Sequence, residues 1–346
     1  MSYMVKSSEK LRKPGAESET KALLYLMNFH DDCNDIYYFV VDFFNDLTGM
    51  NNMATRLWDV QSKGAHNVSP KAIGKELVTL FKNYTSKVAF EAYILFIGSV
   101  SSTLRKDSSL TIFGIENVKD TAINLIKAGL IEEGKAKEYI NNTSLTDANI
   151  DGFLKEVLFV IDDDKQPREY VRAIIKEHPN IVPEDKVLDA IFNEIRDKQS
   201  SKKNISMVEG VVIETTDEVL NYCRHLTNNE IRMMTIQRII SRNLLSSGIP
   251  ASFIPIYNTW PQGKHGEMFE DCQRSLYCVL FNVNSADGFW HLFENIYQMI
   301  VNYPDETVQQ LFVRLQSLPN CINRCPDFNA MSLKYFISII KDGIQQ

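Results

Sequence analysis

No apolar stretch in this 346-residue chain approaches the roughly 18 residues needed to cross a bilayer; the longest runs are of the order of Ala92 to Gly98. The first residues carry Lys and Glu where a signal peptide needs an apolar core, so a soluble, cytoplasmic protein with no membrane contact is expected. Glycine-rich phosphate cradles are missing: there is neither a G-x-G-x-x-G nor a P-loop, which leaves no sequence sign of a nucleotide site. The zinc-protease pattern H-E-x-x-H and the nucleophile elbow G-x-S-x-G are also absent. The six histidines are scattered, so nothing supports a Ser/His or Cys/His hydrolase. No repeat period recurs.

Cysteine is sparse. Cys33, Cys223, Cys272, Cys278, Cys321 and Cys325 include only C-x5-C and C-x3-C spacings, poor matches to a zinc knuckle, and a chain of this size needs no disulfide staples. Ordinary buried thiols are expected.

Positive charge is in deficit. With 37 Lys and Arg against 44 Asp and Glu, the net charge of −7 excludes a protein that coats nucleic acid nonspecifically, because backbone binding rests on many cationic contacts. A nuclease is not excluded, since metal-binding carboxylates add negative charge. Basic residues concentrate between Arg56 and Lys106, where only Asp59, Glu76 and Glu91 oppose them; the run is either a local nucleic-acid face or a solvated helix face.

What is present is ample for folding: 44% hydrophobic and 10% aromatic residues, on a length that suggests two domains at about 150 residues each. Residues 1 to 15, polar and ending in Pro14-Gly15, read as a loose leader. A first helix is predicted from Ala16 to about Phe29, with Leu23, Leu26 and Met27 as its apolar stripe and Glu19 on the same face as Leu23. A buried carboxylate there needs a metal or cation partner. Ser69-Pro70 has the chemistry of a helix start, Ser as N-cap and Pro at the first position. Phe90 to Ile97 is nearly continuous in apolar residues and predicts a central strand covered on both faces. Helix is predicted over 118–139, a strand signal lies in Val157 to Ile161, and helix follows over 168–178. Asp162-Asp163-Asp164 reads as a second metal site or, more simply, as acids capping that helix. His30, with Asp31 and Asp32, reads as a helix-end dipole partner rather than a base.

Residues 197–204, Ser/Lys-rich and without apolar periodicity, read as a linker. The predicted fold class is α/β, with one domain over 1–198 and a mostly helical domain over 205–346. Helices are predicted there over 217–226, 229–245, 288–301, 307–318 and 331–344. The loop from Pro250 to His265 carries Trp260, either a partner-binding surface or a buried anchor.

The chemistry concentrates in Asp42-Phe43-Phe44-Asn45-Asp46 and, after a polar turn, Trp58 to Gly64. Apolar runs from Ile36 to Leu47 and Leu57 to Ser62 flank that turn and predict a β-hairpin. Strand alternation puts Gln61 and Lys63 on one face, and Asp42 and Asp46 together on theirs. Asp59 shares the Gln61 face and either borders the site or is a surface acid. In a hairpin centred on the Asn51 turn, Asp42 sits nearly opposite Gln61, so Asp42 competes with Asp46 as the acid. An acid on one strand, then an oxygen ligand and a lysine two apart on the next, suits phosphodiester cleavage. Mg²⁺ or Mn²⁺ takes hard oxygen ligands, polarises a phosphate and acidifies a water, while a lysine steadies the developing charge.

The Asp46 … Gln61-x-Lys63 spacing resembles the PD-(D/E)xK nuclease superfamily in the variant with Gln for Glu. More narrowly it resembles the double-stranded DNA endonuclease domain of bacterial anti-phage systems, found in CD-NTase-associated effectors and Lamassu-type nucleases. The resemblance spans roughly residues 10 to 195 and is carried by this motif and by the order helix, hairpin, helix, strand. It implies a metal-dependent endodeoxyribonuclease, with Asp46, Gln61 and Glu19 as metal ligands, Asp42 as the competing ligand and Lys63 as the catalytic lysine. It favours Asp46, because the family's acid directly precedes an apolar strand residue, here Leu47. It also implies double-stranded DNA as substrate and control by an SMC-like ATPase partner or by homo-oligomerisation. The C-terminal part is too short and too helical for the paired nucleotide-sensing domain of CD-NTase-associated relatives. The alternative from another class is a non-catalytic helical interaction subunit in which the hairpin is a structural remnant.

Overall fold

The computed structural model of the chain describes residues 3–5, 15–175, 183–203, 205–241, 248–281, 286–318 and 325–344. The chain divides into two compact units, Met1–Val171 with Phe192–Asn228, and Arg172–Ile191 with Asn229–Gln346.

The first unit is α/β and is built on a mixed sheet. After a short strand β1 (Tyr3–Met4), helix α1 (Ala16–Asn28) leads into β2 (Ile36–Val41), β3 (Leu47–Asn51) and β4 (Leu57–Lys63), an antiparallel meander. Helices α2 (Pro70–Glu76) and α3 (Val78–Tyr84) then cross to β5 (Ala92–Ile97), which runs parallel to β4. Next come β6 (Ile112–Phe113), α4 (Asp120–Ala136), α5 (Asp147–Glu156) and β7 (Val157–Ile161), the last parallel to β5. Helices α6 (Pro167–Arg172) and α7 (Asp185–Lys202) and strands β8 (Val212–Ile213) and β9 (His225–Thr227) complete the elements up to residue 227. The seven-stranded order is β6-β7-β5-β4-β3-β2-β9.

Central β5 explains the continuous apolar run. Tyr93, Leu95 and Ile97 pack with Ile73, Leu77 and Phe81 of the α2–α3 layer and Phe153 of α5. Phe96 faces the other way, its ring 6.0 Å from that of Tyr25 on α1. Ser69 caps α2, its hydroxyl accepting from the Ala72 amide, with Pro70 at the first helical position. Gly74 of α2 and Gly129 of α4 make that helix pair possible: a β-carbon on Gly74 would collide with the Ile126 carbonyl, and one on Gly129 with that of Lys71.

Several expectations need correction. Ile36 to Leu47 is two strands, because the chain turns at Asp42, whose φ is +49°; the predicted hairpin is a three-stranded meander. The leader reading fails at its start, where β1 pairs antiparallel with β8 and Tyr3 is buried; residues 6–14 lie outside the described residues. Residues 197–202, read as linker, are the last turns of α7. Residues 217–226, read as helix, are a 3-10 turn (Asp217–Tyr222) followed by strand β9, which extends the sheet beside β2.

The second unit is helical among its described residues. Helix α8 (Asn228–Ile239) is followed by α9 (Ile254–Tyr257), α10 (His265–Phe281), α11 (Ala286–Asn302), α12 (Val308–Ser317) and α13 (Ala330–Ile344). Phe293, Ile296, Leu311, Leu315, Phe336 and Ile340 are among its buried residues. Thr307 and Gln310 form a reciprocal capping box at α12. Trp260 is exposed and so is not a buried anchor. No described helix is long and apolar enough to cross a membrane.

Candidate functional site

Strand β4 outruns β3 at one end, and this mismatch builds the site. Leu47 pairs with Val60, so Asp46, one residue before β3, stands level with Gln61. The Asp46 carboxylate fills the gap, Oδ2 accepting from the Ser62 backbone amide at 2.9 Å and from Gln61 Nε2 at 2.7 Å. An amide that would otherwise lack a partner is satisfied. Asp42 is not opposite Gln61. It begins the turn, its amide donating to the Asp46 carbonyl at 3.2 Å. Phe43 and Phe44 between them are buried in a cluster with Tyr3, Val40 and Met50, which fixes the turn and leaves the two acids at its ends.

Asp59, Gln61 and Lys63 share a face of β4, and α2–α3 covers it with polar partners. Asn83 donates to Asp59 at 2.7 Å, Thr79 donates to Gln61 Oε1 at 2.7 Å, and Lys63 pairs with Glu76 at 3.1 Å. Two strand residues rise about 6.6 Å and three to four helical residues about 4.5–6 Å, so the two series stay in step. Asp59 is therefore neither an exposed strand acid nor in reach of solvent: it is fully buried, and Tyr3 donates to Asn83 behind it at 2.7 Å. Burial raises the Asp59 pKa to about 7, against the opposing effects of the Asn83 hydrogen bond and the Lys82 charge.

Glu19, in the first turn of α1, is buried and paired with the ammonium of Lys203, just beyond the end of α7. The same ammonium lies 3.4 Å from Asp42. Arg224 stands 3.9 Å from Asp42 and donates to the Lys203 carbonyl at 2.6 Å. Burial works against the charge on Lys203, but Asp42, Glu19 and Asp46 together outweigh it and hold its pKa above the ordinary lysine value. The structure thus brings Glu19 and Asp42 together on Lys203, and Asp46 together with Gln61 at the end of β4. Lys63 extends from the same strand but pairs with Glu76 on α2. Among the described residues, no group of three or more His, Cys, Asp or Glu side chains is arranged to hold a metal ion.

Sequence reasoning missed Lys203, Arg224, Thr79 and Asn83. Lys203 fell in the supposed linker, and only the lysines after the apolar periodicity of 185–202 hinted at a helix end. The triple acid is divided. Asp162 is buried, bonded to Lys21 at 2.8 Å and to the Tyr170 hydroxyl at 2.5 Å, while Asp163 and Asp164 adopt positive φ in the turn before α6. Asp162 is thus a core ion-pair partner, not a helix cap. In the basic run, Lys71 and Lys75 both pair with Glu132, each at 2.6 Å. Cys33, Cys223, Cys272 and Cys278 are free thiols; of these only Cys272 is buried, and the expectation of buried thiols fails at Cys223 and Cys278, which are exposed. Cys321 lies outside the described residues.

Comparison with protein-family models, with curated proteins and with solved structures finds no match for this chain.

Proposed function

We propose that this chain is a metal-dependent endodeoxyribonuclease of the PD-(D/E)xK type, cutting double-stranded DNA as an effector of bacterial anti-phage defence. One observation carries the reading: Asp46 stands level with Gln61 at 2.7 Å, on a meander that follows α1 and precedes a helical crossover to a parallel strand. Glu19 of α1 and Asp42, the acid at the other end of the turn from Asp46, share one cation, Lys203.

The oxygens of Glu19, Asp42 and Asp46 are the hard donors that Mg²⁺ or Mn²⁺ takes. Glu19 and Asp42 already share one positive charge, the Lys203 ammonium, so these oxygens suit such an ion in kind, although among the described residues no three of them are arranged around one point. Asp46 and Glu19 would hold the ion, with Asp42 beside them, and the Gln61 carboxamide would join them by turning its oxygen from Thr79 toward Asp46. When bound, it supplies Lewis-acid polarisation of the phosphate and a more acidic water. The chain's own groups do the rest. Asp46, pinned by the Ser62 amide and Gln61, keeps a fixed orientation. Lys63, about a third exposed at the strand end, offers its ammonium to the charge that builds on a scissile phosphate.

Control by an SMC-like ATPase partner or by assembly belongs to the same proposal and rests on the resemblance. Supercoiled plasmid incubated with the purified chain and Mg²⁺ or Mn²⁺ tests the activity: nicking that EDTA stops supports it. No cleavage, alone or with the proteins of neighbouring genes, removes it.

A further inference from the structure

Tyr3, Met4 and Val5 alternate between the protein and solvent: Tyr3 and Val5 are buried, and Met4 is 52% exposed. Strands β1 and β8 form a sheet of their own, Tyr3 opposite Ile213 and Met4 opposite Val212, and the Val5 amide donates to the Val211 carbonyl at 2.8 Å. A two-stranded ribbon is marginal by itself, so β1 is held by what its buried side chains touch.

Tyr3 reaches the turn over residues 42–46 in two ways. Its ring lies 5.0 Å from that of Phe44, in the cluster that also buries Phe43. Its hydroxyl donates to Asn83 Oδ1 at 2.7 Å, and Asn83 Nδ2 donates in turn to the Phe44 carbonyl at 3.2 Å and to Asp59 Oδ2 at 2.7 Å. A carboxamide has two N–H donors and one acceptor oxygen. Turned around, the Asn83 oxygen would face a carbonyl and a carboxylate, so these three partners admit one orientation. Burial keeps the Tyr3 hydroxyl protonated beyond the ordinary tyrosine range, and it remains a donor.

Other groups also hold Phe44: Lys82 donates to its carbonyl at 3.2 Å, and the Phe90 ring meets its ring edge-on at 5.6 Å. Those groups belong to α3 and to the approach to β5, whereas Tyr3 comes from a ribbon outside the seven-stranded sheet. The turn needs such support. Asp42 has a φ of +49°, which costs energy in any residue but glycine, and a backbone bond of 3.2 Å from the Asp42 amide to the Asp46 carbonyl closes it.

We infer that Tyr3 is a positioning residue and β1 a latch: by holding Phe44 it keeps the turn closed and the Asp46 carboxylate against Gln61 and the Ser62 amide. What the held acid does rests on the nuclease reading; the latch itself does not.

Opening the turn frees two amides, that of Asp42 from the Asp46 carbonyl and that of Ser62 from Asp46 Oδ2. Amide hydrogen exchange of the full-length protein, read by NMR for wild type, Tyr3→Phe and Tyr3→Ala, therefore tests the inference. The amides of β5, in the sheet core, report general stability. Tyr3→Phe keeps the ring but leaves Asn83 Oδ1 without its donor, and exchange at Asp42 and Ser62 should rise at least about fivefold more than at β5. Tyr3→Ala removes the ring as well and should raise it further. A smaller rise, or one shared equally by β5, overturns the inference, because Tyr3 then adds only general stability. If Tyr3→Ala does not fold, Tyr3→Phe decides alone. Plasmid nicking on the same samples separates the two readings. No nicking by wild type removes the nuclease and leaves the exchange rates to decide the latch, whereas nicking by Tyr3→Phe at the wild-type rate, with its turn opened, overturns the positioning role.

Discussion

Gln61 joins two layers of the protein: its carboxamide donates to Asp46 at 2.7 Å across the start of β3 and accepts from Thr79 of α3 at 2.7 Å. The acid at the turn and the helix over the sheet are thereby set relative to one another by a single buried side chain. Thr79→Val keeps the shape of the helix surface but leaves Gln61 Oε1 without its donor. A cost of about 1–3 kcal/mol in chemical denaturation is expected, since a buried acceptor is left unsatisfied. A Thr79→Val protein as stable as wild type would show that Gln61 is not held in this way.

Lys63 should separate stability from activity. Its ion pair with Glu76 is about a third exposed on each side, so Lys63→Ala is expected to cost less than about 1 kcal/mol. DNA nicking should fall by about 100-fold or more, the scale of losing one charge-stabilising group at a reacting centre. Thermal melting beside a plasmid assay reads both quantities, and nicking at the wild-type rate would remove Lys63 from the mechanism.

Buried Asp59 makes a pH prediction. Its folded pKa of about 7 lies above the ordinary carboxylate value, so the folded state binds its proton more tightly than the unfolded chain. The contribution of Asp59 to stability is therefore greatest at low pH, declines as pH rises from about 4 to 7, and is a constant penalty above that range. Asp59→Asn keeps an oxygen to accept from Asn83 and carries no charge. At pH 8 it should be more stable than wild type by on the order of 2 kcal/mol, with a flatter pH profile between about 4 and 7. Equal or lower stability at pH 8 contradicts this account of the site.

The α2–α4 contact supplies a control away from the site. Gly74→Ala drives a methyl into the backbone carbonyl of Ile126, which cannot move as a flexible side chain could. A loss of about 1–3 kcal/mol is expected, the usual scale of overpacking. An unchanged denaturation midpoint would mean that the two helices shift apart freely.

Where local chemistry decides, the fold was legible in the sequence. Ser69-Pro70 marked the start of α2, and the nearly continuous apolar run from Phe90 to Ile97 marked a strand with both faces covered. The turn at Asp42 was not legible, because it contains neither Gly nor Pro and its two central phenylalanines read as a continuing strand. Their burial among Tyr3, Val40 and Met50 outweighs the left-handed strain at Asp42. That turn also sets the register, placing Asp46 rather than Asp42 level with Gln61. The need of Glu19 for a cation could be read from its place on the apolar face of α1. That the cation is Lys203, 184 positions later, could not: only the tertiary fold joins them. Thr79 and Asn83 were hidden for the same reason, as polar residues whose partners lie on another element.

The most direct measurement is plasmid nicking by Asp46→Asn in Mn²⁺, beside wild type, with circular dichroism to verify the fold. Asn retains an oxygen to accept from the Ser62 amide and Gln61 but removes the charge that a hard cation requires. The account predicts metal-dependent nicking by wild type, abolished by EDTA, and none above background by a folded Asp46→Asn. Nicking by that variant at the wild-type rate, or its persistence in EDTA, would contradict the assignment of this cluster as the cutting site.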